Sequence, residues 1–199
     1  MGRNTWITGL VMCTGLTGSH TAAAQAPTQP VVHVQIMDLA EVPENTLVRA
    51  QAEATRVFQL SGITLVWVDA DTCRNSCLTV RLVTQAMSPK SQNPRVLGIA
   101  PSSEEARGIN LWIFYPRVKA HSADLGMYAW QLLGHVMAHE MGHLLLPHGA
   151  HAAAGVMRAE WDRAQVKSAD AGQLTFTSAQ ASLIRERLQA SASPIARVQ

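Results

Sequence analysis

Between Tyr128 and Leu146 the chain is apolar almost all the way round the helix it would form, and this run constrains the fold more than any other. A helix at a protein surface carries a single apolar stripe, whereas one that is apolar on every side has to be buried. Other elements must therefore enclose it, and Pro147 and Gly149 mark where it stops. The few polar residues it would carry inward are Gln131, His135, His139, Glu140 and His143. Imidazoles and a carboxylate are costly to bury unless something pairs with them, and a metal ion is such a partner.

The segment His139-Glu140-Met141-Gly142-His143 has the form HExxH. Residues four apart on a helix lie one above the other, so His139 and His143 can grip one ion, as zinc prefers at about 2.0–2.1 Å per nitrogen. Glu140 then points obliquely beside the metal, where it can take a proton from zinc-bound water. His135 extends the stripe by one turn, but position 136 is Val, so a His135–His139 pair would lack the base. His135 is read as a supporting or core residue. A third ligand must come from beyond the helix, leaving the fourth position to water. His148 and His151 both follow Pro147; a tight turn would have to swing His148 back, whereas His151 has a longer tether with Gly149 as hinge. Both stay open, with His151 the easier to place.

The remaining elements follow from periodicity. Val31–Met37 reads as a strand, and Leu47, Ala50, Ala54, Val57, Phe58 and Leu60 have helical spacing that Ser61-Gly62 ends. Ile63–Val68 and Leu78–Val83 are β-branched runs flanking a cysteine turn, an expected pair of strands, and Ile109–Tyr115 is a further strand ended by Pro116. Residues 121–126 read as a connector in which Ser122 and Asp124 can cap the buried helix. Loop follows to Gly155, and Phe176 to about Leu188 forms a last helix capped by Thr177 or Ser178. The order predicts an α+β domain with a mixed sheet of about four strands backed by helices.

A length of 199 residues suits one domain, and a charged fraction of only 15% argues against disorder. The net charge of +2, with no dense Lys/Arg run, gives no footprint for nucleic acid or an anionic membrane. Arg3, the apolar run Trp6–Leu16 and the small residues Thr21–Ala26 form the tripartite pattern of a signal peptide, with cuts available after Ala24 or Ala26. That run is too short to span a bilayer, and Met12 before Cys13 is too bulky for a lipoprotein site. The expectation is a signal over residues 1–26, a secreted or periplasmic mature chain over 27–199, and no stable membrane insertion after cleavage. Cleavage removes Cys13 and leaves Cys73 and Cys77, which suit a disulfide in an oxidising compartment better than a zinc site.

The run from His139 through Leu146, a later histidine, and Gly155-Val156-Met157 resembles the metzincin clan of zinc endopeptidases. The stretch Ala138–Trp161 is similar again to a group of poorly characterised bacterial secreted proteins with HE(L/I)GHLLL, a later His and GIMRxxW. That resemblance implies a zincin-like single domain with His151 as third ligand, His148 in reserve, and Met157 as a structural floor beneath the ligands. It also implies that Ile109–Tyr115 is an edge strand receiving an extended substrate. The chain departs from the metzincin pattern HExxHxxGxxH, because Leu146 stands at the glycine and Gly149 at the third histidine. The turn out of the helix must be built differently.

These residues predict a zinc metalloendopeptidase acting on peptide or protein substrates, with one catalytic zinc and Glu140 as general base. Two rivals are a secreted zinc-binding or interaction protein without turnover, and a hydrolase of non-peptide substrates such as RNA. Glu140, the signal and the near-neutral charge weigh against the second. His20, His33 and His121 are assigned no role, and nothing in the spacing of Tyr115 or Tyr128 ties either to the oxyanion. Oligomeric state is not specified by the sequence.

Overall fold

The computed structural model describes residues 29–73, 77–87, 93–101, 110–147 and 151–192. The expected signal peptide and His148 lie outside the described residues. The elements are β1 (Val31–Asp38), α1 (Glu44–Gln59), β2 (Thr64–Trp67), β3 (Leu78–Val83), β4 (Gly98–Ile99), β5 (Asn110–Phe114), α2 (Tyr115–Leu125), α3 (Ala129–Leu145), α4 (Arg163–Asp170) and α5 (Ser178–Ala192). The result is an α+β domain around one mixed sheet, as the element order predicts.

The sheet runs β2-β1-β3-β5-β4, with β1, β2, β3 and β5 parallel and β4 antiparallel to β5. Period-two alternation sends Leu65, Val32, Val34, Val80, Leu82, Leu111 and Ile113 to one face, where all are buried. The opposite face is more polar; there Arg81 donates from Nε to Asn110 Oδ1 at 3.2 Å. Two expectations are corrected. β2 and β3 do not pair with each other, because each lies parallel to β1 on opposite sides of it. Nor is β5 the edge, since the two-residue β4, too short to leave an alternating pattern, pairs outside it.

α1 buries Ala50, Ala54, Val57 and Phe58, and Phe58 meets Phe176 edge-on with ring centroids 5.1 Å apart. α1 and α3 cross closely at Gly134, where a Cβ would come within 2.7 Å of the Ala50 carbonyl oxygen and of Glu53 Cβ. α3 is enclosed as its composition demands, with Leu132, Leu133, Met137, Ala138 and Met141 fully buried. Each such large apolar side chain contributes about 1.5–3 kcal/mol relative to exposure.

Residues 121–126 are not a connector, because α2 begins directly after β5. Pro116 occupies its first turn, where the missing N–H has no helical partner to lose, and Gly126 closes it at φ +69°. Ser122 is inside this helix, its hydroxyl donating to the Lys119 carbonyl at 2.8 Å. α4 is a further helix the periodicity did not reveal. Its start is fixed by Asp162, whose Oδ1 accepts from Ala164 N–H while Asp162 N–H donates to Gln165 Oε1. Thr177 caps α5, as its position suggests, accepting from Gln180 N–H at 3.3 Å.

Candidate metal centre

His139 and His143 project from the same face of α3. Their Nε2 atoms lie 3.0 Å apart, close to the edge of about 3.3 Å expected for two nitrogens on one tetrahedral zinc. α3 ends at Leu146, which is extended at φ −83° and ψ 143° because a residue before proline is driven out of the helical region. On α5, Arg187 donates from Nη1 to the Leu146 carbonyl and satisfies one of the helix's last acceptors.

His151 lies beside the two helical histidines. One ligand atom from each of His139, His143 and His151 falls within 4.8 Å of the others, so the group can hold a metal ion. Burial decreases from His139 through His143 to the exposed His151, which leaves the site open at its rim.

A turn over 152–157 follows His151. Ala152 N–H donates to the Met157 carbonyl and Val156 N–H to the Thr175 carbonyl, both at 2.8 Å. Gly155 sits at φ +74°, and a Cβ there would lie 2.6 Å from the Thr175 carbonyl oxygen, so glycine is required for both conformation and room. The turn presents the Val156 carbonyl to His139, whose Nδ1 donates to it at 2.8 Å. That bond leaves the lone pair of His139 on Nε2, the atom facing His143.

Burial, together with the nearby His143 and His151 rings, outweighs this hydrogen bond and lowers the His139 pKa to about 4. The ring is therefore neutral near pH 7, the form in which imidazole binds a metal. The donor set fits one metal ion.

Met157 is fully buried directly against α3. A Cβ on Gly142 would overlap the Met157 sulfur and lie 2.8 Å from Phe176 Cε1, so the glycine between the two histidines makes room for this side chain. Glu140 shares with the three histidines a cleft of about 940 Å³, bordered by β4, by α2 and by residues 158–161. Burial pushes the Glu140 carboxyl up to about 8.

His135 does not join the metal group. Its Nδ1 donates to the Gln131 carbonyl at 2.9 Å, and its Nε2 lies 3.2 Å from Glu53 Oε1, out of line for a hydrogen bond. Cys73 and Cys77 form a disulfide in the connection between β2 and β3, with Cα atoms 5.7 Å apart. Tyr128 is exposed and stacks on Trp130, Tyr115 is buried, and neither borders the cleft.

Three further residues matter at the cleft. Trp161 sets its ring edge-on to both His135 and His139, with centroids 6.0 Å from each. Arg117, buried on α2, donates to the Val96 carbonyl at 3.0 Å and holds the segment entering β4. Gly98 of β4 touches Glu140. Trp161 ends the Ala138–Trp161 stretch singled out in the sequence; Arg117 and Gly98 left no signal, because their partners are distant in sequence. No family model matches this chain, nor does any curated protein match it at significant similarity.

Proposed function

We propose that this chain is a secreted, zinc-dependent metallopeptidase of metzincin-like character. The observation carrying that reading is the convergence of His139, His143 and His151 in one open cleft with the buried carboxylate of Glu140. Three imidazoles with an open rim suit zinc among the common divalent ions, since structural zinc sites are closed by a fourth protein ligand. The Cys73–Cys77 disulfide supports an oxidising compartment, in keeping with a cleaved signal over residues 1–26. No helix among the described residues is long and apolar enough to cross a membrane.

A zinc ion in this group supplies Lewis acidity, acidifying water and polarising a carbonyl oxygen. Glu140 accepts a proton from the attacking water on a carboxylate oxygen, and returns it to the amine nitrogen that leaves. Burial alone raises the Glu140 carboxyl in the metal-free protein, and a cation held beside it would favour the ionised form that serves as base. His139 stays neutral and oriented through Val156. An extended peptide substrate lies along the outer edge of β4, the strand bordering the cleft, and adds to the sheet by main-chain hydrogen bonds.

The test is metal analysis of the purified mature protein, followed by assay on a panel of peptide, ester and RNA substrates. One equivalent of zinc and hydrolysis of peptides alone are expected. Glu140→Gln should keep the zinc and lower turnover by about 10²–10⁴-fold. A zinc-replete wild type that cleaves no peptide would instead make the protein a secreted zinc-binding module.

A further inference from the structure

We infer that Gly98 is a positioning residue for Glu140: the bare Cα of β4 forms the wall against which the carboxylate side chain is seated. This rests on the hydrolytic reading of the site for its consequence in catalysis, but not for the contact itself. A Cβ built on Gly98 would lie 2.7 Å from both Cγ and Oε1 of Glu140 and 2.8 Å from its Cδ, closer than real side chains approach. Both residues are buried, and every one of these atoms belongs to the Glu140 side chain, which must give way to a methyl there.

Backbone conformation does not call for glycine here. Gly98 is absent from the positive-φ glycines, and it pairs regularly with Ile113 in the antiparallel ladder. Glycine within a strand is ordinarily unfavourable, losing more entropy on folding and offering no side chain to pack. Its presence at this register is explained by the space Glu140 takes.

The wall is itself braced. Phe114 N–H donates to the Leu97 carbonyl at 2.9 Å, and Arg117 holds the Val96 carbonyl from α2. With β4 pinned on both sides of the preceding residues, a methyl at 98 is relieved by moving Glu140 rather than the strand. The three atoms nearest that methyl all belong to the Glu140 side chain.

The decisive measurement is a double-mutant cycle on the metal-free full chain, using Gly98→Ala, Glu140→Ala and both together. Gly98→Ala alone should lower the melting temperature by about 3–8 °C, the range expected for one overpacked methyl in a chain of this size. In the Glu140→Ala background the methyl enters vacated space and that loss should vanish. If Gly98→Ala alone fails to fold while the double variant folds, the coupling is equally established. Equal losses in both backgrounds, or failure of both to fold, would overturn the proposal.

On the zinc-loaded protein, Gly98→Ala should bind one equivalent with unchanged affinity. Its kcat should fall by about 10²-fold with KM held, the effect of a base moved by about 1 Å. Undiminished kcat in a coupled Gly98→Ala variant would also overturn the positioning role. Absence of hydrolysis in the wild type would sink the peptidase reading and leave the Gly98–Glu140 contact to the thermal cycle.

Discussion

His139 donates its Nδ1–H to the main-chain carbonyl of Val156, 2.8 Å away, so the residue beside Met157 selects which nitrogen of the first ligand faces the site. Because a carbonyl only accepts, the ring has no choice of tautomer while that bond stands. The turn over 152–157 thus does two tasks from adjacent residues. It orients a ligand through Val156 and packs the space under α3 through Met157. Losing such an outer partner typically costs about 10–100-fold in metal affinity.

The first consequence concerns Gly155, which holds this turn at φ +74° against the Thr175 carbonyl. Gly155→Ala adds a methyl where neither the conformation nor the space accepts one. Stability should fall by about 2–4 kcal/mol in urea denaturation, and zinc affinity by about 10–100-fold in competition with a chromophoric chelator. A destabilised variant with wild-type zinc affinity would show that the Val156 carbonyl does not govern the ligand.

The ligand set itself is separable by substitution. His151→Ala, like His139→Ala or His143→Ala, should lose stoichiometric zinc, whereas His148→Ala should retain it, because the helical pair and His151 already form a convergent group. Metal content after gel filtration reads the outcome. Zinc lost from His148→Ala and kept by His151→Ala would exchange their assignments; zinc kept by both would end the three-histidine model.

What could be read from the sequence followed the range of each interaction. α3, α1 and the four longer strands carry their burial in a repeating local pattern, and HExxH places two ligands and a base within one helical turn. α2 was hidden because Pro116 looks like a terminator when it is a first-turn residue. α4 buries only Ala169, so it has almost no apolar period to detect, although Asp162 and Gln165 mark its start. β4 is two residues long. The third histidine depended on how the chain turns after Leu146, and the Gly98–Glu140 contact joins residues far apart in sequence. Neither is a local property.

Behind the site, Glu53 on α1 accepts two hydrogen bonds from Arg56, at 2.9 and 2.6 Å, and stands 3.2 Å from His135 Nε2. Arg56 in turn donates to the Gly172 carbonyl at 2.7 Å, tying α1 to the end of α4. Glu53→Ala leaves a partly buried guanidinium without its carboxylate. The expected loss is about 1–3 kcal/mol of stability with zinc stoichiometry unchanged, since none of these groups reaches the metal ligands. Loss of zinc from a folded Glu53→Ala protein would mean that this network positions α3 for metal binding.

The metal-free protein should betray Glu140 through the pH dependence of its stability. Burial raises the carboxyl from the ordinary 4.5 to about 8, so the folded state binds this proton more tightly than the unfolded chain does. Its contribution is fully present below pH 4.5 and is lost as pH rises through about 8. His139 works in the opposite sense. Lowered to about 4 from 6.5, it contributes stability above pH 6.5 that is lost as pH falls through about 4. Glu140→Gln deletes the first dependence and leaves the second. Melting temperatures in chelator should therefore show the variant gaining on the wild type between pH 4.5 and about 8, and the gap levelling off above that. Zinc favours the ionised carboxylate and should flatten that difference when restored. A gap that stays constant with pH in chelator would mean that Glu140 is solvated, contrary to its burial beside Gly98 of β4.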